Sequence, residues 1–189
     1  MSKSNKRVIA FTGAGISADS GIGTFMDNPD IRNALHRYVA QSDIPRYHQA
    51  IKTMKSQIDP AQPNDAHLAL AEYDVEVITM NIDGLHEKAG SKPLNLHGTM
   101  PSDDELDICH TLYGKPVLYG DMAPNYQVAI ERVYSLREGD VFLVIGASDS
   151  TAISTQLQVL ASSQGADVIQ IQSNAKTRVR EVLQEILNA

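Results

Sequence analysis

The sequence predicts an α/β fold, a doubly wound parallel sheet with helices on both faces and a smaller helical insertion beside it. Three observations carry that expectation. Apolar runs of strand length alternate with amphipathic helical patterns, the order that yields a parallel sheet covered on both sides. The first of those runs empties into a glycine-rich turn, "FTGAGISADSG", and a polar stretch, 28–60, interrupts the alternation without supplying a strand.

In chain order, a strand is expected at 7–11, followed by the helical insertion at 28–60 and a helix at 62–73. The run "VEVITM" gives a strand at 75–80, and the apolar spacing after it a helix at 82–89. Short strands follow at 94–96 and 116–119, then a helix at 125–136, the apolar strand "VFLVI" at 141–145, a helix at 152–163 and a strand at 168–171. The last helix, 175–187, is the clearest. There Val179, Val182, Leu183, Ile186 and Leu187 recur on one face while Arg178, Arg180, Glu181, Gln184 and Glu185 face away. The chain therefore divides into a sheet domain, 1–27 with 61–189, and the insertion, 28–60, with no internal repeat.

Composition narrows the function. A length of 189 residues with 42% hydrophobic residues supports one sizeable core, and no apolar run reaches membrane-spanning length, so the chain reads as soluble, unprocessed and cytoplasmic. A formal net charge of -7 without a basic run argues against nucleic acid, whose binders neutralise phosphates with clustered Lys and Arg. The single Cys109 excludes an intramolecular disulfide and any Cys₄ or Cys₃His zinc site built from this chain. The acidic run Asp103, Asp104, Glu105, Asp107 with Cys109 and His110 lacks ligand spacing and reads as a solvated loop, so no metal is expected.

Two stretches carry chemistry. In "FTGAGISADSG", Gly13 and Gly15 allow a tight turn and a helix start that can present N–H groups to a phosphate, as in a Rossmann unit. Ala18 does not complete the usual glycine spacing, and no second strand with an acidic ribose reader follows, so an ordinary structural turn remains open. In "VEVITMNIDGLHEKAGSKPLNLHG" a buried strand delivers Asn81, Asp83, His86 and His97. Helix capping would account for Asn81 and Asp83, since their side chains accept from a helix's first free N–H groups. A histidine satisfied at a strand end would account for His97.

Taken together, "GAGISADSGIGTF", "TMNIDGLHEKAG" and "NLHG" occur in the order found in sirtuins, NAD-dependent protein deacylases with a Rossmann-like fold, and the chain resembles that family. The likeness continues through "KPVLYGDMAP", "VIGAS" and "VIQIQSNAKT", so it spans most of the chain. The resemblance implies that NAD is bound and that acyl groups pass from lysine, in a protein or peptide, to ADP-ribose with release of nicotinamide. By the same carry-over Gly13, Ala14, Gly15 and Ser17 meet the pyrophosphate and adjacent ribose, and Phe25 lies over the nicotinamide side. Asp83 binds the carboxamide, Asn81 organises the ribose and a water, and Gly146, Ser148 and Gln172 approach the adenosine. His97 is the general base on a ribose hydroxyl, with Asn81 the other catalytic residue, and His86 buttresses the turn. Val117, Tyr119, Gly120 and Asp121 flank the acyl-lysine, where an extended peptide commonly adds as a strand. Imidazole, with an ordinary pKa near 6.5, suits the base role in neutral solution.

The departures from the family pattern matter as much. Met26 replaces an arginine, Met80 a glutamine, Gly23 a proline and Gln172 an asparagine, and 99–114 is a short loop in place of the four-cysteine zinc module. An NAD glycohydrolase or ADP-ribosyltransferase would use the same C–N bond cleavage, and a non-catalytic NAD sensor would follow from the two methionines. Methionine offers polarizable apolar contact but none of the charge-assisted hydrogen bonds of a guanidinium. Turnover is therefore expected to be slow, with NAD binding less affected. Restoring the arginine by Met26→Arg should raise single-turnover formation of O-acyl-ADP-ribose by ~10²-fold, the size of effect that geometric misplacement has on rate. A rate equal to the parent's would show that residue 26 does not limit turnover.

Overall fold

The structure, a computed structural model of the chain, describes residues 6–23, 28–148 and 151–188. Phe25 and Met26 lie outside the described residues. Strands β1 (Val8–Thr12), β2 (Glu76–Thr79), β3 (Leu94–Asn95), β4 (Val141–Ile145) and β5 (Asp167–Ile171) form one parallel sheet in the order β3-β2-β1-β4-β5. The chain winds outward from β1 to β3, then returns to build β4 and β5 on the other side. The order thus reverses between β1 and β4, and the crevice at that switch point is where open parallel sheets of this kind bind ligands.

Every residue of β1 and β4 is buried, which explains why β4 is apolar throughout and β1 is apolar up to its last residue, Thr12. Successive side chains point to opposite faces, so Val8, Ala10, Val141, Leu143 and Ile145 serve one core and Ile9, Phe11, Phe142 and Val144 the other. Helices α4 (Asp65–Glu72) and α8 (Ala175–Asn188) cover the first face, α8 through Ala175, Val179, Val182 and Leu183. Helices α6 (Asn125–Tyr134) and α7 (Ala152–Ser163) cover the second. A third apolar cluster lies beside the sheet. Its residues come mainly from α1 (Pro29–Ala34), α2 (Arg37–Ser42) and α3 (Ile44–Ile58), with Leu85 of α5 (Leu85–Ala89), Cys109 and Leu118.

Several elements differ from the sequence expectation. Residues 116–119 do not join the sheet, because Tyr119 forms an isolated parallel bridge with His36 instead. The helix after the first strand is absent: the glycine turn runs into two short 3₁₀ turns, Ala14–Ile16 and Ala18–Ser20, the second ended by Gly21 at φ 83°. The helix expected from 62 begins at Asp65 because Asn64 accepts from the Ala66 N–H as its N-cap, and that expected from 82 begins at Leu85, after Gly84 at φ 70°. Residues 99–114 are not an irregular loop. They wind into a 3₁₀ helix, Asp103–Thr111, started by reciprocal hydrogen bonds between Ser102 and Glu105. Glu105 is also paired with Lys115, and Asp103 with Lys55 at 3.1 Å, so part of the acidic run is spent on local ion pairs.

At the switch point two backbones touch. Gly15 N–H donates to the Gly146 carbonyl at 2.9 Å, and a Cβ on Gly15 would stand 2.6 Å from Gly146 Cα. A Cβ on Gly13 would stand 2.7 Å from Ala147 Cα, and Gly146 itself has φ 56°. These glycines are required by the sheet's own packing. Behind them, Thr12 Oγ1 donates to Thr79 Oγ1 at 2.8 Å and accepts from His86 Nε2 at 2.9 Å. The His86 and His67 rings meet edge-on, 4.9 Å between centroids, and both are buried.

No helix among the described residues is long and apolar enough to cross a membrane. Two outcomes are expected from this packing. Gly15→Ala should lower unfolding free energy by about 1–3 kcal/mol, the usual cost of overpacking, and an unchanged denaturation midpoint would contradict the contact. Burial pushes the His67 pKa down to about 4 and that of His86 to about 3, against 6.5 for an ordinary histidine. Between about pH 6.5 and 4 the unfolded chain therefore binds more protons, so this contribution is full above pH 6.5 and is lost as pH falls. The loss, on the order of 3 kcal/mol for each histidine at 1.36 kcal/mol per unit, would appear as a falling urea midpoint across that range.

Candidate functional site

A cavity of about 470 Å³ opens at the strand ends, on the side where β1 and β2 meet the helical insertion. Ala14, Ser17, Asn81, Asp83, His97, Val117, Tyr119, Gly120 and Asp121 line it. Gly13, Gly15, Gly146, Ser148 and Gln172 do not. They lie behind or beside the cavity at the ends of β1, β4 and β5, where Gln172 Nε2 donates to the Ala147 carbonyl at 3.0 Å.

The polar floor is a saturated network. Ser17 Oγ gives its one proton to Asp83 Oδ2 at 2.7 Å and accepts from Asn81 Nδ2 at 3.2 Å and His67 Nε2 at 3.5 Å. With donor and lone pairs engaged, Ser17 has no proton left for a phosphate in this arrangement. It works as a clasp between the turn after β1 and the segment after β2. Asn81 Nδ2 also donates to the Gly13 carbonyl at 3.1 Å. Because a carbonyl can only accept, the nitrogen faces Gly13, and Oδ1 is the atom left to act as an acceptor. Asp83 Oδ1 accepts from Leu85 N–H at 2.9 Å, the capping role that its position before a helix suggests.

His97 follows β3 and lies half-buried on the cavity wall. Its Nδ1 lies 3.0 Å from the Met80 carbonyl and its Nε2 2.8 Å from Tyr126 Oη. The carbonyl must receive a proton, so Nδ1 carries the hydrogen and Nε2 presents its lone pair to the tyrosine hydroxyl. Burial holds the imidazole pKa below its ordinary value, against an opposing pull from the Met80 hydrogen bond. His97 is thereby neutral in neutral solution with a basic nitrogen turned away from the backbone. His86 lies deeper, buried beneath the turn with its Nδ1 unpaired.

Across the cavity the wall is apolar, with Ile22, Leu35, Met54, Ile82 and Leu118 among its residues. Tyr119 is half-exposed, and both its backbone groups are bonded to the insertion, its N–H to Leu35 and its carbonyl to Arg37 N–H, each at 2.9 Å. Gly120 at φ 96° lies in a turn closed by the Asp121 N–H on the Leu118 carbonyl, so "LYGD" folds as a turn. Asp121 faces Arg37, which grips both carboxylate oxygens at 2.7 and 2.6 Å and holds that carboxyl below its usual range. The same guanidinium donates to the carbonyls of His110 and Leu112 and lies over the Tyr113 ring. Asp121 thus anchors the wall and leaves no carboxylate oxygen free of Arg37.

Sequence reasoning missed Tyr126, Arg37 and His67. Tyr126 stood in plain view, one helical step after "GDMAP", where the helix carrying it starts beside the ends of the strands. The Met80 sulfur lies 3.6 Å from Thr151 Oγ1 in the cavity wall. Among the described residues no group of three or more His, Cys, Asp or Glu could hold a metal ion.

Comparison with known proteins places these features in a family. The model of the Sir2 family matches residues 13–113, which include the glycine turn, Asn81, Asp83 and His97. The chain is 33% identical to NAD-dependent protein deacylase 2 of Archaeoglobus fulgidus, over 87% of this chain and 79% of that protein. It is 32% identical to an NAD-dependent protein deacylase of Aquifex aeolicus, over 88% of this chain and 83% of that one. A crystal structure of a Sir2 homologue–NAD complex superposes with a TM-score of 0.80 at 24% identity, over 97% of this chain and 90% of the other, a likeness of fold. On the match of its motifs, and on the extent of these relatives, the chain belongs to the Sir2 family.

Proposed function

We propose that the protein is an NAD-dependent protein lysine deacylase, which transfers an acyl group from lysine to ADP-ribose and releases nicotinamide. The observation that carries this reading is the convergence of Asn81, Asp83 and a neutral, oriented His97 on one cavity at the strand ends, in a chain of the Sir2 family. The cavity fits the nicotinamide riboside end of NAD in size and in donor set: about 470 Å³, a free carbonyl on Asn81 and a carboxylate on Asp83.

NAD is consumed in this reaction, and supplies a ribose carbon with a cationic leaving group and adjacent hydroxyls. The residues supply placement. Asp83, held by Ser17 and Leu85 N–H, offers a fixed acceptor for a carboxamide. Asn81, locked to Gly13, offers Oδ1 to the ribose side. His97 takes a hydroxyl proton at Nε2, since Nδ1 is committed to Met80. The apolar wall at Leu35, Met54 and Leu118 excludes water from the far side and suits an acyl chain on a lysine of a protein or peptide. Gly13, Gly15, Gly146, Ser148 and Gln172, outside the cavity, are left to shape the crevice for the remainder of NAD.

Products test the reading. Incubation of the purified protein with NAD and an acylated peptide should give nicotinamide and O-acyl-ADP-ribose, whereas peptide-independent free ADP-ribose would indicate a glycohydrolase. His97→Ala should lower product formation by ~10²–10⁴-fold, the usual contribution of general base catalysis. Because burial lowers the His97 pKa, the base stays neutral to a lower pH than an ordinary histidine would. The acid limb of kcat/KM should therefore lie below pH 6.5, and a limb above it would contradict His97 as the base.

A further inference from the structure

In this structure neither nitrogen of His97 is open to the cavity. Nδ1 is bound to the Met80 carbonyl and Nε2 is 2.8 Å from Tyr126 Oη. A phenol has one proton and two lone pairs. Its proton is spent on Nε2, so what Tyr126 can offer to the cavity, which both residues line, is an acceptor oxygen. The position of that oxygen is fixed from below: Asn125, the first residue of α6, donates to the Asn95 carbonyl of β3 at 2.7 Å, two residues before His97. The start of α6 and the end of β3 are thereby stapled, and the two rings are held 5.9 Å apart between centroids.

We propose that Tyr126 relays the proton from the substrate hydroxyl to His97. The hydroxyl proton passes to Tyr126 Oη as the tyrosine's own proton passes to Nε2. One O–H bond breaks and another forms on the phenol, so Tyr126 is neutral before and after. His97 becomes imidazolium, and the electron pair left on the substrate oxygen is available to attack the acyl-bearing carbon. Burial raises the Tyr126 pKa above that of an ordinary phenol, which makes the residue a conduit and keeps it from being the base itself. This inference rests on the deacylase reading and assigns that site a second proton-carrying group.

The test is Tyr126→Phe, which keeps the ring and removes the hydroxyl. Single-turnover formation of O-acyl-ADP-ribose should fall by ~10²-fold or more, while exchange of labelled nicotinamide into NAD, in the presence of acylated peptide, continues as in the parent. Adding His97→Ala to Tyr126→Phe should cost nothing further, because groups that act as a unit are not additive. In the free protein, ¹⁵N NMR titration should show a higher His97 pKa in Tyr126→Phe, since a donor to the neutral ring has been lost. Product formation as fast as the parent's, or faster, would mean that the hydroxyl only covers Nε2, and would overturn the relay. An unmoved His97 titration would overturn it as well. Loss of exchange in the parent itself would remove the deacylase reading and the relay with it, an outcome distinct from failure of the relay alone, in which exchange persists.

Discussion

Between the ends of β1 and β4 two stretches of backbone cross with no side chain between them, and the residues lining the cavity are hung from that crossing. Gly15 lies on Gly146, and Gly13 on Ala147, at distances that only missing side chains permit. The close approach sets where the chain leaves β1. It also sets where the Gly13 carbonyl points, and hence the orientation of Asn81. Asn81 in turn helps saturate Ser17, which binds Asp83. A displacement at the crossing would propagate through each of these bonds, because none of the groups has a spare partner. Glycines of this pattern are commonly explained by the approach of a phosphate. In this chain the immediate requirement comes from the protein itself.

The opposite wall depends on a different kind of force. Arg37 gathers the start of α2, the end of the 3₁₀ helix and the turn at Leu118–Asp121 by five polar contacts from one residue. Asp121 is almost fully buried in that pair, and a buried ion pair gains specificity of arrangement more surely than net stability. The apolar cluster beneath it, with Tyr47, Ile51 and Met54, supplies the burial. The helical insertion is thus packed by its apolar side and set in register by one guanidinium.

The parallel sheet was legible in the sequence because strand-length apolar runs alternate with helical patterns, and β4 is apolar throughout and β1 up to its last residue, Thr12. Helix starts were less legible. Asn64 and Gly84 moved them by three residues, because a side-chain cap and a left-handed glycine decide a boundary that apolar spacing leaves open. The strand expected at 116–119 failed for a reason that periodicity cannot express, since the partner of Tyr119 is His36, in the helical insertion and not in the sheet. At the site, Asn81, Asp83 and His97 stood out because polar groups at the end of a buried strand require an explanation. Tyr126 and Arg37 did not, since an amphipathic helix and a polar insertion each have ordinary uses for such residues. Their meaning lies in contacts over 29 and 84 positions of chain, which no local pattern encodes.

One feature of the connection between His97 and Val117 bears on how such a chain can change length. Thr99 N–H donates to the Gly114 carbonyl at 3.1 Å, and Val117 N–H to the His97 carbonyl at 2.9 Å, so the excursion leaves and returns at nearly one point. Gly98, at φ 73°, rests against Gly114 with no room for a side chain. Whatever lies between the two glycines is closed off below by these bonds, and the entropy of closing a loop grows only by about 0.6 kcal/mol for each doubling of its length. The neck is therefore a natural splice point: the length of chain between the two glycines can change there while His97 at one root and Val117 at the other stay in place.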